Sequence, residues 1–237
     1  MRNKIIPLLL IILFAGCAMP APQSTTNVAI PDQSQQSTAS SQQTGTQQIS
    51  TRQTQSFQTQ TTSPSATPQP IIALPLADAL SRITKKPFGI YVSPQNSPVQ
   101  PEHFTGDHTG TDFEIFPDEL DKDVPVSAIC TGKIEVKRTA QGYGGVLAQS
   151  CNLDNQPVTI VYGHLKLTSI SQNVSDTLTA GENFALLGDA YSAQTGGERK
   201  HLHLGIKKGT VVDLRGYVQK ESDLSGWLDF QNLISLP

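Results

Sequence analysis

Two histidines at alternate positions, His201 and His203, lie in the run Lys-His-Leu-His-Leu. Because successive side chains of a strand point to opposite faces, we predict that both imidazoles leave one face of an extended strand. His108 and Asp112 are separated by an even number of residues, so a strand would also bring them to one side. Imidazole and carboxylate suit zinc, and three protein ligands with an open fourth position are typical of a catalytic site. Each motif alone is more often a set of ordinary polar strand residues, and it is their combination with a third histidine, His164, that indicates metal chemistry.

Five short segments of the chain resemble the lysostaphin/LytM-type zinc endopeptidases (metallopeptidase family 23), which cut the peptides of bacterial peptidoglycan. The resemblance extends over roughly residues 87–215. The segments are His-Thr-Gly-Thr-Asp-Phe at 108–113, Gly-Tyr-Gly-Gly at 142–145, Tyr-Gly-His-Leu at 162–165, Thr-Ala-Gly-Glu at 179–182 and His-Leu-His-Leu at 201–204.

The resemblance implies that His108, Asp112 and His203 bind one Zn²⁺ ion, and that His164 and His201 are the catalytic histidines. It implies that these groups activate water against a peptide carbonyl. No glutamate is placed as a general base, so one of the two catalytic histidines is expected to take the proton.

The chain also departs from the family. Leu204 and Gly205 follow the second histidine of His-x-His, where the family has an aromatic residue and often an acid. The segment between 188 and 201 carries Asp189, Glu198 and two basic residues instead of the usual small polar residues. These departures leave the metal ligands intact and leave the substrate preference open.

The first 17 residues have the pattern of a secretory signal peptide. Arg2 and Lys4 provide the positive start, and the apolar run at 5–14 is too short to span a bilayer as a helix. The run ends in small residues directly before Cys17, which resembles the lipobox of bacterial lipoproteins, with Phe14 in place of the commoner leucine. We therefore expect lipidation of Cys17 and a membrane anchor, and the alternative is a plain cleaved signal.

Residues 18–70 differ in composition from the rest of the chain, since Gln, Ser, Thr and Pro dominate and charge is almost absent. Such a segment cannot bury enough apolar surface to offset its ordering entropy. We predict a disordered tether with an end-to-end distance of about 40 Å.

Residues 71–237 are predicted to form one mainly β domain. A short helix is expected at 74–83, and short β-rich segments are separated by Gly, Asn, Asp or Pro. The expected strands lie at 88–92, 124–137, 146–150, 158–164, 184–187, 201–206 and 211–214. Strands at this spacing favour an antiparallel β-sandwich or open barrel. The resemblance implies the LytM (duplicated hybrid motif) type, with a groove that carries the metal.

Two of the three cysteines, Cys130 and Cys151, fall in this domain on either side of an expected hairpin turn at 139–144. Disulfides persist in exported proteins, so we predict a bridge between them. Two free buried cysteines are the alternative.

Charge excludes one class of partner. The formal net charge is −3 and the pI about 5.9, and the basic pairs of the chain are small. The sequence therefore does not predict a basic surface that would bind nucleic acid.

The sequence thus predicts an exported, lipid-anchored zinc endopeptidase that faces the cell wall, in the periplasm or at the cell surface, and acts on peptidoglycan. One alternative is a non-catalytic LytM-like regulator that binds and activates another cell-wall enzyme. Such relatives typically lack some zinc ligands, whereas this chain has all three. A lipoprotein that only stores or senses metal is the other alternative, and it would leave His164 without a purpose.

Overall fold

The computed structural model describes residues 72–234. The predicted signal peptide with Cys17 and the predicted tether at 18–70 lie outside the described residues. Within the part of the chain that the structure describes, no helix is long and apolar enough to cross a membrane.

Twelve short strands and a few helical turns make up the described domain. The strands are β1 (Tyr91–Val92), β2 (Gly106–His108), β3 (Gly110–Glu114), β4 (Pro125–Ser127), β5 (Gly132–Ala140), β6 (Gly144–Leu153), β7 (Gln156–Gly163), β8 (Thr177–Leu178), β9 (Asn183–Leu186), β10 (His201–Lys208), β11 (Tyr217–Val218) and β12 (Trp227–Leu228). The helical segments are 3-10 turns at Ala79–Arg82, Pro117–Glu119, Leu167–Ser169 and Glu221–Gly226, and the α-helix α1 at Phe230–Ile234.

Seven of these strands form the main sheet, in which β10 is a central strand. The sheet runs β12-β10-β7-β6-β5-β8, and β3 pairs with β10 beside β12. A three-stranded sheet, β1-β2-β11, and a two-stranded sheet, β4-β9, complete the described architecture. The strand pairings recorded between residues 72 and 234 are antiparallel and form open sheets. The predicted mainly β, antiparallel fold class is confirmed.

The sequence of β10 explains why this strand carries a site on one face and core on the other. Leu202, Leu204 and Ile206 alternate with the histidines and are almost fully buried in the main apolar cluster. That cluster also contains Phe113 and Tyr162 from the two neighbouring strands. Burial of one apolar face fixes the register of the strand, because a slip by one residue would turn the leucines outward.

Three local expectations are corrected by the structure. The expected helix at 74–83 is only a single 3-10 turn, Ala79–Arg82, and the expected strand at 211–214 is irregular, with Val211 77% exposed. His108 and Asp112 do not share one strand, because the chain passes at Thr109 from β2 in the small sheet to β3 in the main sheet.

The predicted disulfide between Cys130 and Cys151 is present, with 6.2 Å between the two Cα atoms. The two cysteines are not direct cross-strand partners, since Cys151 pairs with Gly132. The hairpin turn is centred on Gly142 and not midway between the cysteines, since Ala140 pairs with Gly144; the register shift between Ile134 and Val136 brings the partner of Cys151 one residue closer to Cys130. The bridge therefore joins Cys130, which lies two residues before β5 begins, to β6.

Candidate metal and catalytic site

Three side chains from three strands converge at one end of β10. His203 lies opposite Asp112 in the register of β10 with β3, and His108 ends β2. His108 Nε2 is 3.0 Å from His203 Nδ1 and 3.3 Å from Asp112 Oδ1, and His203 Nδ1 is 3.2 Å from the same carboxylate oxygen. All three residues are buried. The structure thus places two ring nitrogens and one carboxylate oxygen at the corners of a nearly equilateral triangle.

Neighbouring groups determine which nitrogen of each ring faces the triangle. His108 Nδ1 lies 3.1 Å from the carbonyl oxygen of Pro87, which can only accept, so this nitrogen carries the proton and Nε2 presents its lone pair. His203 Nε2 faces Gly110 and Gly205 and has no hydrogen-bond partner within residues 72–234. A side chain at Gly110 would place its Cβ 2.6 Å from His203 Cε1, so only glycine leaves room for this imidazole.

Two further histidines lie beside the triangle with their rings 4.2 Å apart, measured between centroids. His201 Nδ1 lies 2.9 Å from the carbonyl oxygen of Arg199, and His164 Nδ1 lies 3.0 Å from that of Thr195. Because a carbonyl only accepts, both rings carry a proton on Nδ1 and direct Nε2 away from these carbonyls. His201 Nε2 is 3.3 Å from Asp112 Oδ2, the oxygen that does not belong to the triangle.

The backbone of His164 is held in an unusual conformation. Its φ is 64°, in the left-handed region that non-glycine residues rarely occupy, immediately after β7 ends at Gly163. Such a conformation costs roughly 1–3 kcal/mol and is most often found at functional sites. The His164 carbonyl accepts a hydrogen bond from Gly188 N at 2.8 Å, which fixes the turn.

The pKa values of Asp112, His164 and His203 are all lowered, but for different reasons. Desolvation lowers the pKa of His203 to about 4, and together with the neighbouring His201 it holds the pKa of His164 well below its usual value. Desolvation alone would raise the pKa of Asp112, but charge interactions with His201 and His108 outweigh it and hold this pKa well below the usual value. The site therefore presents a carboxylate and neutral His203 and His164 near pH 7.

A cavity of about 270 Å³ opens onto these groups. Asp112, His164, His201 and His203 line it on one side, and its walls include four apolar or aromatic side chains, Phe104, Tyr143, Leu214 and Tyr217. A few polar side chains that converge in a partly apolar cleft are the usual arrangement of a binding site.

One wall of the cavity is fastened by a buried ion pair. Lys86 Nζ lies 2.5 Å from Glu102 Oε2 and 3.1 Å from Tyr217 Oη, and the Lys86 carbonyl accepts a hydrogen bond from Asp112 N at 2.9 Å. The Tyr217 ring packs against His108 with 5.2 Å between centroids. Lys86 thus links the backbone of one triangle residue to the aromatic wall over another.

All five residues that the sequence motifs singled out are brought to this one place. Sequence reasoning missed the groups that surround them, above all Arg199 with Glu114, and the walls formed by Tyr143 and Tyr217. The spacing indicates only that each of this pair lies near a motif residue, since Glu114 is two residues from Asp112 and Arg199 is two residues from His201; it does not show that the two meet.

The donor triangle fits a zinc ion. Its edges of 3.0, 3.2 and 3.3 Å match one face of a tetrahedron whose centre is about 2 Å from each corner, as in zinc sites. His108, Asp112 and His203 are also the metal-capable group found among the described residues. A His-His-carboxylate set that leaves one tetrahedral position to the cavity is the ligand arrangement of catalytic rather than structural zinc.

Residues 106–214 match the family model described as Peptidase family M23. The family expected from the sequence motifs is thereby confirmed. None of the curated proteins compared with the chain matches it.

Several solved structures are similar to the chain. A structure described as the identification and structural characterization of LytU is 26% identical, over 65% of this chain and 83% of that chain, with a TM-score of 0.44. A zinc containing peptidase from Vibrio cholerae is 20% identical, over 62% of this chain and 41% of that chain, with a TM-score of 0.37. The SpoIIQ-SpoIIIAH pore forming complex contains a chain that is 17% identical, over 70% of this chain and 91% of that chain, with a TM-score of 0.43.

Proposed function

We propose that the domain is a zinc-dependent endopeptidase that hydrolyses peptide bonds of bacterial peptidoglycan. The observation that carries the proposal is the buried donor triangle with two oriented imidazoles beside it, four of these five side chains lining one open cavity. A domain that only bound a partner would not need three buried donors and two further rings with fixed tautomers.

The proposed metal site consists of His108 Nε2, Asp112 Oδ1 and His203 Nδ1. When bound, zinc supplies Lewis-acid chemistry, since it polarises a carbonyl group and lowers the pKa of water to about 7. The Pro87 carbonyl accepts a hydrogen bond from His108 Nδ1 and so orients this ring. Gly110 has no side chain and therefore leaves space for the His203 ring.

His164 and His201 are the proposed proton-transfer groups. His164 is neutral near pH 7, and its Nε2 lone pair can accept a proton from the attacking water. His201 is placed between Asp112 Oδ2 and the ring of His164, where its imidazole can support charge that develops on the carbonyl oxygen. The cavity walls orient the peptide and exclude bulk water from these groups.

The substrate class is tested with purified full-length protein and isolated peptidoglycan. Digestion is expected to release new amino groups and no new reducing sugar ends, to stop after chelation and to resume when zinc is added back. Reducing ends without amines would show a glycosidase. A protein that binds zinc and releases neither product would be the non-catalytic regulator or a metal store.

The roles of the histidines are tested by three variants. His203→Ala removes one of three protein donors, so zinc content and cleavage rate are expected to fall together. His164→Ala and His201→Ala are expected to keep near-stoichiometric zinc but to lose on the order of 10²–10⁴ in turnover, the range for a positioned proton-transfer group. Zinc loss in His201→Ala with zinc retention in His203→Ala would reverse the assignment.

We also propose that the protein is exported and anchored by a lipid on Cys17, with residues 18–70 as a tether that lets the domain reach the cell wall. The support is the small-residue pattern before Cys17 and the composition of the tether. Cys17→Ser is expected to abolish incorporation of labelled fatty acid. Equal labelling of this variant and the wild type would remove the anchor from the proposal.

A further inference from the structure

Arg199 is a buried cation that the proposed reaction does not use. It lies in the segment between 188 and 201 that departs from the family pattern, and only 9% of its side chain is exposed. Its Nη2 lies 2.9 Å from Asp112 Oδ2 and 2.5 Å from Glu114 Oε1, and its Nε lies 3.0 Å from Glu114 Oε2. One guanidinium therefore bridges two carboxylates, one of which belongs to the donor triangle.

Strand geometry places these groups together. Asp112 and Glu114 alternate along β3 and so share one face, and Arg199 precedes His201 by the same spacing of two. In the register of β3 with β10, His201 lies opposite Glu114 and His203 lies opposite Asp112. Arg199 lies two residues before β10 begins, and its guanidinium contacts Asp112 through Oδ2, the oxygen that does not belong to the triangle.

The two oxygens of Asp112 are thereby given different partners. Oδ1 faces His108 and His203 in the triangle, whereas Oδ2 faces Arg199 and His201. A carboxylate with a free second oxygen can rotate or offer both oxygens to a metal. In this protein the guanidinium of Arg199 donates a hydrogen bond to Asp112 Oδ2. Glu114 fixes this guanidinium in turn, because it accepts hydrogen bonds from both Nε and Nη2.

We infer that Arg199, anchored by Glu114, is a positioning residue that restricts Asp112 to one oxygen toward the metal and leaves the other beside His201. This inference rests on the proposed metal site. The outer Lys85 cannot take over this function, since its Nζ is 3.5 Å from Glu114 Oε2 and its side chain is 45% exposed. Without the guanidinium, the buried carboxylates of Asp112 and Glu114 would lose the cation that they share.

The adjacent residue provides a matched control. Lys200 is also a buried cation, but its Nζ donates to the carbonyl oxygens of Glu119, Leu120 and Lys122. Arg199→Met and Lys200→Met each remove one buried cation, and only the first removes a contact with Asp112.

The experiment measures zinc affinity by chelator competition on full-length wild type, Arg199→Met, Arg199→Lys and Lys200→Met, together with denaturant unfolding of the metal-free proteins. Arg199→Met is expected to weaken zinc binding by about 10–100-fold, the range for residues that orient metal ligands. Lys200→Met is expected to lower stability and leave zinc affinity unchanged. Arg199→Lys keeps the positive charge but lacks the planar guanidinium that can contact both carboxylates, so its zinc affinity is expected to lie between those of Arg199→Met and the wild type.

The visible absorption spectrum of the cobalt(II)-substituted protein gives a second measurement, which a general loss of stability does not change. The wild type is expected to show the intense visible absorption of four-coordinate cobalt(II). Arg199→Lys is expected to show weaker absorption bands, because Asp112 would be free to offer both oxygens to the metal. This milder variant can be used if Arg199→Met does not fold.

Wild-type zinc affinity and cobalt spectrum in Arg199→Lys would overturn the inference and leave the proposed function standing. So would an equal loss of affinity in Arg199→Met and Lys200→Met. A wild-type protein that binds no zinc would instead refute the proposed function, and with it this inference.

Discussion

Gly110→Ala is a one-carbon change that tests whether the His203 ring lies where the structure places it. The added Cβ would lie 2.6 Å from His203 Cε1, 2.7 Å from His203 Nε2 and 2.7 Å from the carbonyl oxygen of Leu204. Two of these atoms belong to the imidazole, and the third is backbone of the strand that carries it. Neither can yield cheaply, because β3 and β10 are paired along this stretch.

The expected cost has two parts. Forcing an extra carbon into a packed site typically costs about 1–3 kcal/mol, and this loss should appear in denaturant unfolding of the metal-free protein. Displacement of the His203 ring should also open the donor triangle, so zinc affinity should fall on the order of 10–100-fold, as when a group that orients a ligand is lost.

Gly226→Ala is the matched control. Its added Cβ would meet only the end of the Lys207 side chain, at 3.2 Å from Nζ, and this flexible chain can move away. This variant should match the wild type in stability and zinc affinity. If Gly110→Ala did the same, the close packing of His203 against β3, and the donor triangle built on it, would be wrong.

Two further predictions concern stability. Replacing Cys130 and Cys151 by serine opens a link across 21 residues, which should lower the unfolding free energy by about 3 kcal/mol in the chain-entropy model; urea unfolding measures it, and an unchanged midpoint would contradict the prediction. Burial alone would raise the pKa of Glu102, but hydrogen bonds from Lys86, Ser97 and the backbone outweigh it and lower this pKa. Its ionisation therefore stabilises the fold fully above the unfolded pKa near 4.5 and ceases to do so as the pH falls through the lower folded pKa. Glu102→Gln should thus destabilise the protein at pH 7 but much less at about pH 3, and an equal loss at both pH values would refute this.

The sequence was sufficient to place the histidines of β10 because strand alternation is a local property. His201 and His203 leave one face whatever the strand pairs with, and Leu202 and Leu204 identify the other face as core. His108 and Asp112 are close together, as the spacing predicted, but the reason for the prediction was wrong. An even spacing suggested a single strand, whereas the chain changes sheets at Thr109, whose Oγ donates a hydrogen bond to the Arg215 carbonyl.

Features that depend on register could not be predicted. The contact between Arg199 and Glu114 joins residues 85 apart, and nothing local to either residue indicates which strands will be neighbours. The same holds for the hydrogen bond between Lys86 and Tyr217, which are 131 residues apart. The expected strand at 211–214 failed because β-branched residues favour strands only where a partner strand and a face to bury exist.

The pairing of β3 with β10 also determines when the donor triangle can form during folding. Asp112 and His203 are 91 residues apart along the chain, and His108 and His203 are 95 apart. Closing contacts of such high sequence separation costs more loop entropy than closing local hairpins, so we expect the triangle to form after the local hairpins. A nascent or truncated chain that ends before β10 has no donor triangle, however much of the remaining sheet it has built. If the proposed zinc site is correct, zinc binding should therefore report that β10 has paired with β3.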